Sequence, residues 1–193
     1  MIVSNLKSKG IPVSIHSTDE YFMLDNKYIF ELEKLGKYHD ENLKKFKKSI
    51  NNGADVVICD NTNIAPWQTE PYTKLARKYG YQILVITLDP RELEKHVASQ
   101  QVTEEKPDAH GVSKEVLERM IEEYYVYDDL LNSRIVIDEK KHIHYSWDSK
   151  NYQKVNIGIA KHFDSDFVIR ILPNEYQEVQ STIGEKILSL LEV

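Results

Sequence analysis

With 193 residues, 41% apolar and 29% charged, the chain has enough material for one ordinary domain with a buried core and an appendage. Its net charge of -6 argues against broad electrostatic capture of nucleic acid, while a local basic groove stays open. The single cysteine, Cys59, excludes a disulfide framework and suggests a reducing, cytoplasmic setting. No apolar run has the length of a membrane span or of a signal peptide core.

In chain order, "IVSNLKSKG" reads as the tail of a helix stopped by Gly10, and "IPVSIH" as a strand. "NKYIFELEKLG" carries Tyr28, Ile29, Leu32 and Leu35 at helical spacing, which predicts a helix ended by Gly36. "DENLKKFKKSINNG" predicts a second helix, with Leu43, Phe46 and Ile50 on one face and lysines 44, 45, 47 and 48 on solvated faces. "ADVVICD" is a continuous apolar run, suited to a strand buried on both faces of a parallel sheet. "PWQTEPYTKLARKYG" opens with a proline fit for a first helical turn, and Pro71 is expected to kink that helix or delay its start. "YQILVITLDP" is a further buried strand, and "RELEKHVASQ" and "SKEVLERMIEEYY" are helices.

The order β-α-α-β-α-β-α-α implies an α/β fold, a parallel sheet with flanking helices and right-handed crossovers. Residues 1–139 are expected to form this core. Residues 140–193 read as a β-rich C-terminal extension, either a continuation of the sheet or a small unit of its own. Within the last third, "RIVIDEKKHIHYSW" predicts a hairpin around Glu139-Lys140-Lys141, "VNIGIAKHFDSDFVIRIL" predicts strands, and "EVQSTIGEKILSLLEV" predicts a closing amphipathic helix.

Two strand ends carry polar clusters. "SIHSTDEYFM" stops at Ser17-Thr18-Asp19-Glu20, and ligands of open α/β sheets bind beyond the carboxyl ends of the strands. Asp19 would then stand where chemistry is done; the alternative is a helix cap, a role Ser, Thr and Asp commonly fill. The run "VVICDNTN" also ends in an acid, Asp60, followed by Asn61, Thr62 and Asn63, which can donate and accept hydrogen bonds. The alternative there is an ordinary polar turn. Adjacent parallel strands would bring both clusters to one crevice, with Asp60 able to hold a metal-bound water or a substrate hydroxyl.

The pieces "STDEYF", "YHDEN", "ICDNTNIAPWQTEPY", "ARKYGY" and "HGVSKEVLERMIEEY", in this order and spacing, resemble the P-loop kinases of the polynucleotide 5′-hydroxyl kinase type, especially the kinase domain of NEDD4-binding-protein-2-like proteins. The resemblance implies a phosphotransferase using ATP and Mg2+ on a hydroxyl acceptor, such as an RNA or DNA 5′ end. It implies that Asp19 takes the proton from the acceptor. It further implies acceptor or metal contacts from Asp60, Asn61, Thr62 and Asn63, with Asp60 the candidate metal ligand. Thr18 is a further candidate contact, Glu20 could support Asp19 or face away, and His39 could orient a substrate phosphate or pair with a nearby carboxylate. Lys106, His110 and Gly111 would belong to a lid.

Two features depart from that pattern. A phosphate cradle needs a Gly-x-x-x-x-Gly-Lys-Ser/Thr run, and the glycines at 10, 36, 53, 80, 111, 158 and 184 form none. The family's first strand and cradle are expected just upstream of Met1, so the chain as given should not bind ATP. Relatives also carry an arginine before "HGV", whereas here Lys106 is the nearest cation, with Lys95 and Arg91 a helix back. Lysine lacks the planar fork of arginine, and such an arginine is worth about 10³–10⁵ in rate. Besides an incomplete kinase, two alternatives stay open: a pseudokinase that binds a nucleotide or nucleic-acid end, and a protein interaction domain.

Overall fold

The computed structural model describes residues 2–132, 135–137, 143–145, 164–171 and 173. Helix α1 (Ile2–Ser8) leads into strand β1 (Val13–His16), and Gly10 makes the turn between them at φ +76°, a left-handed conformation that glycine adopts without strain. Strand β4 (Val56–Cys59) pairs parallel with β1, Val13 opposite Val56 and His16 opposite Cys59. A second parallel pair joins β5 (Leu84–Leu88) to β8 (Phe167–Ile171). The two ladders are separate among the described residues and are joined by apolar packing. Leu6, which is wholly buried, and Ile171 gather Val13, Val56, Leu84 and Ile86 around them.

Alternation along β4 sets its two faces. Val56 turns to the Leu6 cluster, and Val57 and Cys59 turn to a second cluster built on Phe46, Ile50 and Tyr72. Helices α2 (Leu32–Asn51) and α3 (Pro66–Lys78) supply that second cluster. Helices α4 (Leu93–Ser99) and α5 (Lys114–Asn132) pack on each other after β5. The α/β architecture with a parallel sheet and flanking helices is therefore present.

Three expectations need correction, and that for Pro71 is narrowed. Tyr28 is not helical: β2 (Met23–Leu24) and β3 (Lys27–Tyr28) form an antiparallel hairpin closed by Asp25 and Asn26, at φ 49° and 62°. Two successive left-handed residues make a primed hairpin turn, and Asp and Asn tolerate it. Gly36 does not end a helix but lies inside α2, which runs on through the segment expected to be a second helix. Pro71 lies inside α3 without delaying its start at Pro66. Strands β4 and β5 are partly exposed along their length rather than buried on both faces.

An aromatic cluster seats the hairpin on α2. Phe22 is buried and meets Tyr28, Phe30 and Tyr38 at centroid distances of 5.8, 5.1 and 4.8 Å. Lysines 44, 45, 47 and 48 are exposed, as expected, with the Lys45 ammonium 4.4 Å from the Tyr21 ring centre. Strands β6 (Ile135–Ile137) and β7 (Ile143–Tyr145) pair antiparallel, matching the expected hairpin around residues 139–141. Of the expected strands at 155–172, the described part is β8. The expected closing helix over 178–193 lies outside the described residues.

The β8 segment is fastened by Arg77. Its guanidinium donates to Asp164 (2.8 Å) and Asp166 (2.7 Å), and Asp166 also accepts the Ile83 backbone N–H at 2.7 Å. Arg77, then the Ile83 N–H, hold the Asp166 carboxyl below the usual range.

Gly36 is exposed, its φ is not left-handed, and an added Cβ would meet nothing within 4 Å. Gly36→Ala should therefore stabilise the chain by about 0.5–1 kcal/mol in urea unfolding. Gly10→Ala should destabilise it, because the new side chain would sit at positive φ. Arg77→Lys should loosen β8, a few-fold effect for an exposed ion-pair fork, read as faster backbone exchange over 84–88. Because the Asp166 pKa is depressed in the fold, its contribution is present above the unfolded value of roughly 3.9 and lost as pH falls through the folded one. The difference between Arg77→Lys and the parent should shrink below about pH 4.

Candidate functional site

The ends of β1 and β4 lie side by side. The Asp60 N–H donates to the His16 carbonyl at 2.9 Å, continuing the ladder by one residue. Both polar clusters thus leave adjacent parallel strands at the same end, where such sheets place their ligands.

A chain of hydrogen bonds ties the two clusters together. The Thr18 N–H donates to Asn61 Oδ1 at 2.8 Å, and Asn61 Nδ2 reaches the Tyr72 hydroxyl at 3.4 Å. Asn42, 1% exposed within α2, donates to the same hydroxyl at 3.1 Å. The Thr18 hydroxyl, buried, pairs with His39 Nδ1 at 3.1 Å. It makes no capping bond to the following turn, so the cap alternative does not describe Thr18. Asn63 holds a left-handed conformation at φ 47°, and its amide contacts the Cys59 carbonyl at 3.4 Å. Burial pushes the Cys59 thiol up to about 11 against the hydrogen bonds from Asn63, Tyr72 and Asn61, so it is a neutral packing group at physiological pH.

Asp19 opens a single 3-10 turn, Asp19–Phe22, with its side chain about half exposed. The Tyr28 hydroxyl donates to its Oδ1 at 3.0 Å. His110 Nδ1 stands 4.0 Å from its Oδ2. The Tyr28 and His110 rings stack with centroids 3.8 Å apart and planes 14° apart. Burial, followed by the Asp19 carboxylate, pushes the Tyr28 phenol up, so it remains a donor through the neutral range.

The other candidates are placed differently. Glu20 is exposed and acts on His16, whose pKa burial lowers while Glu20 raises it. His16 is engaged with Ser49 Oγ at 2.9 Å. Asp60 and Thr62 are exposed at the end of β4. The Lys106 ammonium is taken up by the Ser99 carbonyl at 2.6 Å, at the end of α4. Gly111, at φ +62°, donates its N–H to the Gln100 carbonyl at 3.1 Å. The structure thus brings Asp19 together with His110, and Thr18 with Asn61 and His39. Tyr28, Asn42 and Tyr72 belong to these contacts and were not among the candidates.

The described glycines do not converge on one loop. Gly10, Gly53, Gly80 and Gly111 are turn residues of separate segments, and no glycine run with a following lysine is present. Among the described residues, no group of three or more His, Cys, Asp or Glu side chains is arranged to hold a metal ion. Nor is any helix among them long and apolar enough to cross a membrane.

Comparison with known proteins bears on this geometry. NEDD4-binding protein 2 of Homo sapiens is 34% identical over 116 residues, a match spanning 57% of this chain and 6% of that protein. The chain thus corresponds to a small part of that relative's length. The AAA domain family profile matches residues 26–126, which include the hairpin residue Tyr28, α2, the end of β4 and the His110 loop. That match takes in just over half of the sequence, and the chain belongs to the AAA domain family, with a P-loop kinase-like fold.

Proposed function

We propose that this chain is the acceptor half of a phosphotransferase. A hydroxyl-bearing acceptor, with an RNA or DNA 5′ end as the class the resemblance implies, docks at the ends of β1 and β4, and Asp19 accepts the hydroxyl proton. The observation that carries this reading is the Asp19 carboxylate. It stands just beyond a parallel strand, one oxygen fixed by Tyr28 and the other turned toward His110. A general base works when it is held within reach of the proton it takes, and a carboxylate anchored at one oxygen is held that way. Asn61 and Asn63 would line the acceptor side, with the buried Thr18 bracing Asn61 and His39 from behind. His39, exposed and bonded to Thr18, is suited to an acceptor phosphate.

In this reading the phosphoryl donor is held by residues other than these 193. The glycine spacing supports this. So does the sheet, since β4 and β5 each pair with one strand among the described residues, which suits a further strand joining between them. The same absence of a cradle favours a second reading, a module that binds the acceptor without transferring phosphate to it.

Calorimetry with Mg-ATP should detect no micromolar binding to the chain as given; binding at that level would replace the reading with one in which these residues hold the donor. Titration with 5′-hydroxyl oligonucleotides should shift backbone amide signals of residues 17–20, 60–63 and 109–111. A 5′-phosphorylated oligonucleotide, whose hydroxyl is already esterified, should shift them less. Shifts confined to other surfaces, or none with either RNA or DNA, would count against an acceptor site for nucleic-acid ends.

A further inference from the structure

The α4–α5 loop, residues 100–113, is braced within itself. The Gly111 N–H closes its ends onto the Gln100 carbonyl at 3.1 Å, Thr103 and Lys106 exchange backbone hydrogen bonds at 3.4 and 3.2 Å, and Ala109 is buried. Next to that buried anchor, the loop lays the His110 imidazole on the Tyr28 ring, 3.8 Å between centroids. Tyr28 in turn donates to Asp19 Oδ1 at 3.0 Å. Three segments far apart in sequence therefore meet, and Tyr28 is the member bonded to one partner and stacked on the other. Its own position is fixed by the β2–β3 turn and by Phe22 beneath it.

We propose that Tyr28 and His110 are positioning residues for Asp19: the Tyr28 hydroxyl fixes one carboxylate oxygen, and the Tyr28 ring docks the α4–α5 loop, through His110, beside the other. This rests on the reading of Asp19 as the acceptor base. The 4.0 Å between His110 Nδ1 and Asp19 Oδ2 is too long for a direct hydrogen bond. Oδ2 is thereby left to an acceptor hydroxyl, with the imidazole as the wall of its site. Loop and base are coupled through one aromatic ring, so an acceptor that reaches Oδ2 meets the loop as well.

The two roles of Tyr28 separate by substitution. Tyr28→Leu removes both ring and hydroxyl, and Tyr28→Phe removes the hydroxyl alone. In Tyr28→Leu the amides of Lys106, Ala109 and Gly111 should exchange about two- to tenfold faster, the size of effect an aromatic pair supplies. The His110 ring protons should lose their upfield ring-current shift. Tyr28→Phe should keep the parent's loop exchange and His110 shifts and move only the Asp19 carboxyl carbon resonance. His110→Ala, at a partly exposed side chain, should reproduce the loop acceleration without a loss of cooperative unfolding, which covers the case in which Tyr28→Leu does not fold. Unchanged loop exchange in both Tyr28→Leu and His110→Ala would overturn the proposal. So would a Tyr28→Phe variant whose loop loosens as much as that of Tyr28→Leu, or one with an unmoved Asp19 resonance. None of these measurements needs a phosphoryl donor or an acceptor, so they stand or fall apart from the phosphotransfer reading.

Discussion

The site hangs from the last backbone bond of the β1–β4 ladder, where the Asp60 N–H meets the His16 carbonyl. A parallel pair keeps both strands pointing one way, so their carboxyl ends emerge together. Had β1 and β4 run antiparallel, Thr18 and Asn61 would lie at opposite ends of the pair. With the register Val13 to Val56 and His16 to Cys59, Thr18 comes abreast of Asn61, and a backbone N–H meets a side-chain carbonyl at 2.8 Å. A register slip of one residue would turn Val57 and Cys59 away from the Phe46 cluster, so the apolar packing enforces the polar contact.

Behind that contact is a polar core with little slack. Asn42 and Thr18 are nearly inaccessible, and each buried polar group left without a partner costs about 1–3 kcal/mol. The Tyr72 hydroxyl serves two amides, from Asn42 and Asn61, and joins α2, α3 and the end of β4 through one oxygen. Such a network is rigid only when it is satisfied throughout. It fixes Asn61, Asn61 fixes the Thr18 backbone, and the next residue is Asp19. The backbone before Asp19 is thus held by buried amides, and its carboxylate by a phenol on an exposed hairpin.

How much of this could be read in the sequence follows the range of the interactions. Strands β1, β4 and β5 and helices α3, α4 and α5 were legible because their apolar periodicity is local. The polar strand ends were legible because Ser-Thr-Asp and Asp-Asn-Thr-Asn follow apolar runs directly. The hairpin was not, because Tyr28, Ile29, Leu32 and Leu35 imitate helical spacing. The competing signal was Asp25-Asn26, a turn dipeptide without glycine. Gly36 was misleading because a long helix carries one glycine at modest cost. Asn42 did leave a trace, as a polar residue four before Phe46 on the apolar face of α2, but spacing alone could not say that Tyr72 would meet it. The pairing of Tyr28, His110 and Asp19 depends on three separated segments and is beyond any local pattern.

Charge placement bears on the proposed reading. Phosphoryl transfer concentrates negative charge and is served by cations poised around it. Several of this chain's cations are already committed to structure: Arg77 to Asp164 and Asp166, Lys106 to the Ser99 carbonyl, Lys114 to Glu94, and Lys45 to the Tyr21 ring. Around Asp19 the described partners are instead a phenol and an imidazole. In the proposed reading the phenol orients the carboxylate through one oxygen, and no guanidinium forks it among the described contacts. Proton acceptance and phosphate binding pull the local electrostatics in opposite directions. In the proposed reading, the phenol and imidazole beside Asp19 serve the first demand, and the second falls to groups other than these two.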